Sequence, residues 1–363
     1  MKPLRILLLY GASAANATFS YQQAWPQAFQ GHPRFKCTRI NLLDRRWPAR
    51  IGAVAVAATW RGDAVVLLHS VFSNACLLSG RLFDLIRRMP QPKAYFIGNE
   101  YKLMPQKMEF CERLPIQLLV SQTRSSRVHQ LYRERLGCAV AGIPNTGLDP
   151  LLFRPETSFA ERSIDLGYRA QEPDLYIGHT ERRDIAEYFR DNADRLRLRV
   201  DLSLDRRCRL AGRDWARFLD RCKGQLGTEA GGDFFELTDE TRVKVNEYTA
   251  SRPDASFPEI RDRFFQHYRD PVPIRIISGR NVEAAATRTV QVLFEGVYDG
   301  YLQPDEHYIP LRKDFGNVDE AIEKFRDEAY CRRVTDRAYD LAMTEFRYDR
   351  LIDIFADALA ASI

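Results

Sequence analysis

Between residues 277 and 311 the chain reads ISGRNVEAAATRTVQVLFEGVYDGYLQPDEHYIPL. An apolar strand ends at Ser278-Gly279-Arg280, and a helix is read from about Asn281 with Glu283 in its first turn. The free N–H groups of a helix start lie at the positive end of its dipole and suit an anion such as a diphosphate. Gly279 lets the backbone come close to such a ligand. Arg280 adds a forked donor for phosphate oxygens. Glu283 is of the type that accepts two hydrogen bonds from a ribose diol, as the acidic residue of dinucleotide folds does. Two further residues have the chemistry of a general base: His69, at the end of a strand in the N-terminal half, and Glu100, just after another. Each also has an ordinary structural use, in a core or as a group that positions substrate.

The elements that must position these groups are short and apolar. Leu4–Tyr10, Ala64–His69, Ala94–Gly98, Gln117–Val120 and Ala139–Ile143 read as strands, with helices at Leu77–Arg88 and Ser125–Leu136. Continuous apolar runs alternating with helices indicate a parallel sheet covered on both faces. Polar residues such as Ser70, Asn99, Ser121 and Gln122 follow these strands, and open α/β sheets bind ligands at that end. The turn-rich run Ile143–Pro155 marks a joint. Beyond it, Ile164–Tyr168, Leu175–Gly178, Leu196–Leu204, Lys223–Leu226, Pro273–Ser278, Gln291–Phe294 and His307–Leu311 read as strands. Arg182–Phe189, Asp214–Arg221 and Val282–Arg288 read as helices, Glu229–Pro258 as a lid or long connection, and everything from Val318 onward as helical.

Composition narrows the class. Of 363 residues, 45% are hydrophobic and 28% charged, which is globular and not disordered or fibrous. No apolar run approaches the ~18–20 residues of a membrane span; Ile51–Thr59 has strand or short-helix length. The first residues run straight into a strand, without the apolar core and cleavage site of a signal peptide. Seven scattered cysteines with no Cys-x-x-Cys pair argue against a disulfide framework or a zinc site and for a reducing cytoplasm. Residues 1–150 hold 20 Lys+Arg against 8 Asp+Glu, while the chain as a whole carries only +5. The first half is therefore expected to face something anionic: a phospholipid surface, a lipid-phosphate acceptor or an acidic glycan. Nucleic acid is not expected, because no recognition motif accompanies the dispersed basic residues. The loop Gly11-Ala12-Ser13-Ala14-Ala15-Asn16 lacks the Gly-x-Gly-x-x-Gly spacing of a dinucleotide dehydrogenase.

In its order of strand, Arg loop, Glu helix and Pro304-x-Glu306-x-Tyr308-Ile309, the segment 277–355 resembles glycosyltransferases of the GT-B fold. The likeness is to the group-1/family-4-like branch that includes spore-maturation-type proteins. IPNTGLDPLLFRP at 143–155 is a weaker match to the segment that joins the two lobes of those enzymes. The resemblance implies an α/β chain of two facing Rossmann-like, doubly wound domains. Residues 1–155 would bind the acceptor and 156–340 the nucleotide sugar, with 341–363 as a C-terminal helix crossing back to the first domain. It further implies that Ser278, Gly279, Arg280, Asn281 and Glu283 bind the donor, Glu283 on the ribose and Arg280 on the diphosphate. Arg182, four residues after Gly178, would be a further phosphate ligand.

The implied activity is metal-independent, retaining transfer of a sugar from a nucleoside-diphosphate donor, UDP or GDP, to a glycan, lipid-linked or protein acceptor. The expected setting is cytoplasmic, at most peripheral at the inner face of the membrane. No Asp-x-Asp occurs in the chain, which fits that reading. There is one departure. Retaining members carry a second glutamate seven residues plus one before Glu283, and this chain has Arg275 there. Arg donates and cannot accept, so the sugar contact is expected to shift to Ser278, Gly279 or Asn281. Two alternatives keep the fold: a nucleotide-sugar 2-epimerase-like enzyme, and a non-catalytic binding subunit that has lost the first glutamate.

Overall fold

The computed structural model describes residues 2–13, 20–44, 46–268 and 270–362, so residues 14–16 of the loop after the first strand lie outside it. The chain divides into two units. The first holds Met1–Gly147, Phe235–Glu240 and Tyr348–Ile363, and the second Leu148–Phe234 and Thr241–Arg347. The division falls at Gly147–Leu148 rather than at 155, and a short internal segment joins the first unit.

In the first unit the strands are β1 (Leu4–Tyr10), β2 (Phe35–Asn41), β3 (Ala64–Leu67), β4 (Lys93–Phe96), β5 (Leu118–Ser121) and β6 (Ala139–Gly142). They form one sheet in the order β2-β1-β3-β4-β5-β6, and every pairing is parallel. Ile6–Leu9 and all of β3 to β5 are buried, as expected of strands covered on both faces. Strand β2 was not expected. It lies at the edge, and its mixed sequence FKCTRIN buries only Phe35 and Ile40. The helices are α1 (Ser20–Gly31), α2 (Trp47–Thr59), α3 (Gly80–Arg88), α4 (Met104–Arg113) and α5 (Ser126–Leu136). The run at 51–59 is thus helical.

The C-terminal helix, Tyr348–Ser362, completes this unit. Its Leu351, Ile352, Phe355 and Leu359 are buried against Ile6, Trp25, Phe29 and Phe96, and the Phe355 and Phe96 rings lie 4.9 Å apart. At about 1.5–3 kcal/mol per buried side chain, these four contribute about 6–12 kcal/mol, comparable to a domain's whole stability of ~5–15 kcal/mol. A chain ending at Arg347 should therefore lose cooperative unfolding of the first unit, read by near-ultraviolet circular dichroism during a urea titration.

The second unit has a five-stranded sheet of β7 (Ile164–Arg169), β8 (Val200–Ser203), β9 (Cys222–Gly227), β12 (Val290–Phe294) and β13 (Ile309–Leu311). Its order is β13-β12-β9-β7-β8, again all parallel. Strands β8 and β9 flank β7 on opposite sides, so the connections reverse direction at β7, the switch point where doubly wound sheets bind ligands. Helices α6 (Glu181–Asp191), α7 (Gly212–Arg221), α10 (Gly279–Ala286), α11 (Val318–Arg326) and α12 (Glu328–Glu345) belong to this unit.

Two expectations fail here. Leu175–Gly178 is a single helical turn, closed by Gly178 at φ +90°, and not a strand. The stretch read as a lid or connection is structured. Strand β10 (Ala230–Gly232) pairs antiparallel with β11 (Ile274–Ile276), and between them lie α8 (Glu240–Ser251) and α9 (Phe257–Phe264). Only glycine fits at 231, where a Cβ would meet the Ile274 carbonyl oxygen at 1.7 Å and φ is +89°. The C-terminal helix of the first unit is α13.

Candidate functional site

The site of the second unit lies where β7 and β9 end and α6 and α10 begin. Helix α10 starts two residues earlier than the sequence suggests, which moves Glu283 to the second turn. Its start is cross-linked internally. Asn281 Oδ1 accepts from Ser278 N at 3.1 Å and from Ser278 Oγ at 2.6 Å. Asn281 Nδ2 donates to Gln291 Oε1 of β12 at 3.0 Å, and Gln225 Nε2 of β9 reaches the Arg280 carbonyl at 3.5 Å. Gln225 and Gln291 face each other across the β9–β12 ladder, so the sheet itself sets the height of the helix start. The Ser278 and Asn281 side chains, expected to meet a sugar, are spent on this cap. The backbone N–H groups of Gly279 and Arg280, at the first two positions of α10, have no acceptor within the helix.

Arg280 and Arg182 lie near one another beside Tyr168. Burial lowers the Arg280 pKa, and the nearby Arg182 and Arg209 cations push it the same way against Tyr168 and Glu283. Among the described residues neither the Arg280 nor the Arg182 guanidinium has a hydrogen-bonded carboxylate, and Arg182 Nε is buried without a partner. The Tyr168 hydroxyl is likewise buried, with Thr228 beside it. Desolvated like charges side by side oppose folding unless an anion joins them. Glu283 is 6% exposed, and its Oε2 accepts from the Trp215 indole N–H at 2.7 Å.

Arg275, found where the resemblance would place a glutamate, sits in an ion-pair cluster that sequence reasoning missed. Its guanidinium meets Glu181 through two bonds of 2.8 and 3.0 Å and Asp233 Oδ1 at 2.8 and 2.6 Å. Glu229 Oε2 stands 3.8 Å away, and Lys313 Nζ holds Glu181 at 2.7 Å. Burial alone would lower the Arg275 pKa, but Glu181 and Asp233 outweigh it and raise it. Burial would raise the Glu181 pKa, but the Arg275 bond and its neighbours bring it down to about 2. Burial prevails at Glu229 and Asp233, whose pKa values are raised. Glu229 Oε1 also accepts from the N–H groups of Val297 and Tyr298 at 2.9 and 2.7 Å. A Cβ at Gly296 would come within 2.5 Å of that carboxylate. The one sequence signal was Arg275 itself, since a buried arginine needs carboxylates.

Both base candidates of the first unit are enclosed. His69 is 4% exposed and packs among Trp25, Tyr21 and Phe96, with ring centroids 5.2–5.9 Å apart. Burial lowers its pKa to about 3, and its Nε2 has no partner. Glu100 is 1% exposed. Its Oε1 accepts from Gln122 N at 2.6 Å, and its Oε2 from Ser121 Oγ at 2.8 Å and Tyr132 Oη at 2.6 Å. Burial raises the Glu100 pKa against those three bonds. The structure thus gives both residues the packing role rather than that of an accessible base.

His179, in the second unit, is also held neutral by burial and by Arg275, at about 3. A folded-state pKa below the unfolded ~6.5 means that the unfolded chain binds protons first. Stability is therefore lost as pH falls from about 6.5 towards 3, at up to about 1.4 kcal/mol per pH unit for each group. Urea midpoints should drop between pH 7 and pH 5, and His69→Phe should flatten the drop.

No family model and no curated protein matches the chain. Solved structures do. Anabaena HepE, crystallised with UDP and with UDP-glucose, aligns at 12% identity over 99% of this chain and 100% of its own, with TM-scores of 0.54 and 0.53. Sucrose-phosphate synthase from Thermosynechococcus elongatus aligns at 11% identity over the same shares, with a TM-score of 0.53. At such identities the likeness is one of fold, and together with the two doubly wound sheets it makes this a GT-B chain.

Proposed function

We propose that the chain is a glycosyltransferase that takes a sugar from a nucleoside-diphosphate donor, UDP-linked before GDP-linked, without a metal ion and with retention of configuration. The observation that carries the reading is the pair Arg182 and Arg280, two half-buried arginines at the starts of α6 and α10 that have no hydrogen-bonded carboxylate among the described residues. Breaking a sugar–phosphate bond builds negative charge on the leaving diphosphate, and preorganised cations and N–H groups stabilise it where it develops. Glu283, held by Trp215, takes the ribose hydroxyls. With His69 and Glu100 enclosed, the departing phosphate itself removes the acceptor proton, on the face from which the acceptor attacks. The UDP and UDP-glucose bound by HepE support the choice of donor. The basic first half supports a lipid-linked or otherwise anionic acceptor held at a membrane surface.

The test is a thermal-shift series with UDP, GDP, ADP, CMP and dTDP in EDTA. Ligand at 100 times its Kd adds about 2.7 kcal/mol of stability. One nucleotide should raise the melting temperature of the metal-free protein. A shift that appears only after a divalent cation is added would overturn the metal-free reading, and no shift from any nucleotide would overturn the donor site.

A further inference from the structure

Helix α2 is built for a surroundings other than water. From Ile51 to Thr59 it reads IGAVAVAAT, with no charge and no polar side chain before Thr59. A helix apolar on all sides belongs in a core or in lipid. Yet within this stretch only Ala57 is buried. Ile51 is 54% exposed, Ala55 and Ala58 are exposed, and Val54 and Val56 are half-buried.

The rim of this face is cationic. Arg46 precedes the helix and Arg61 follows it, both exposed. Helix α3 packs alongside α2. It buries Phe83 and Ile86 and turns Arg81, Arg87 and Arg88 to the outside. The acidic groups nearby are few: Asp44, which pairs with Arg46, Asp63, which pairs with Arg5, and the exposed Asp84. Trp60 closes the helix half-buried, its ring lying over Gly62, with the amphipathic character of an interfacial anchor.

We infer that the α2 face, rimmed by the arginines of α3, docks on an anionic lipid bilayer. Such a surface offers a plane of negative headgroups for Arg46, Arg61, Arg81, Arg87 and Arg88, and an apolar layer a few ångströms below for Ile51, Val54, Ala55 and Ala58. A second copy of the chain is the poorer partner, since a self-complementary contact sets the arginine rim against itself. The inference deepens the membrane reading proposed above, and donor binding is measured alongside so that the two fail separately.

The experiment is co-sedimentation with vesicles of phosphatidylglycerol and phosphatidylcholine, against pure phosphatidylcholine, at 0.1 M salt. Wild type should bind the anionic vesicles about tenfold or more above the neutral ones. The double variant Ile51→Asp/Ala55→Asp and, separately, Arg81→Glu/Arg87→Glu should each reduce binding about fivefold or more. Both pairs point outward, and their melting temperatures and nucleotide shifts should match wild type, which separates lost docking from lost fold. Absence of vesicle binding by the wild type would overturn the inference. So would anionic binding that Ile51→Asp/Ala55→Asp leaves intact, since the charge would then act without α2. A concentration-dependent dimer abolished by the same variant, without vesicle binding, would assign the face to a second copy and overturn it equally.

Discussion

Arg280→Ala is expected to lower donor affinity or kcat/KM at least tenfold, about 1.4 kcal/mol or more, and at the same time to leave the free protein as stable as wild type or more so. The two effects share a cause. In the ligand-free chain Arg280 is a desolvated cation beside Arg182 and Arg209, which is unfavourable until an anion arrives. Removing it relieves the repulsion and removes the anion's partner together. Melting temperature with and without UDP separates these contributions. The free Tm should hold or rise while the UDP-induced shift collapses. An unaltered UDP shift in folded Arg280→Ala protein would remove the diphosphate assignment, and a large fall in the free Tm would make Arg280 a structural residue instead.

The second large effect is at Arg275. Arg275→Glu would install the residue type that the sequence resemblance leads one to expect there, and it is expected to fail. The side chain is 7% exposed and answers Glu181, Asp233 and Glu229. Breaking a buried pair by removing one partner costs about 3–5 kcal/mol, and a fourth carboxylate adds repulsion to that loss. The variant should unfold at markedly lower urea concentration or not accumulate as folded protein. Arg275→Leu, which removes the cation without adding an anion, should fall between it and wild type. A stable Arg275→Glu protein with increased turnover would show that position 275 is open to a carboxylate after all.

The doubly wound architecture was legible because buried parallel strands such as Ala64–Leu67 and Leu118–Ser121 are continuously apolar and short. The edge strand Phe35–Asn41 was not, since one face of it is solvated and its pattern is diluted by Lys36, Thr38 and Arg39. The place of Arg280 just after the strand Ile274–Ile276 was legible, whereas Arg182 was read behind a strand that proves to be a helical turn. Glu229 and Asp233 were not legible, because they flank β10, which the antiparallel ladder sets beside Arg275 from some forty positions away, and Glu181 was not, because it reaches Arg275 from α6, 94 positions away. His69 and Glu100 were read as chemistry because their position after a strand is the same for a base and for a core residue. Only the aromatic rings around one and the three donors around the other decide between them.

Both chain ends belong to the first unit, and the second begins and ends at neighbouring points, where Leu148 N donates to the Phe346 carbonyl at 2.6 Å. Apart from Phe235–Glu240, which returns to the first unit, the second unit is topologically a guest spliced into a host. A force applied to the two termini is therefore borne first by the host, through β1 and α13, while the guest stays shielded behind the Leu148–Phe346 clasp. In a pulling experiment the host should give way first, and the guest only after that clasp opens, so the extension trace would report the order of insertion directly.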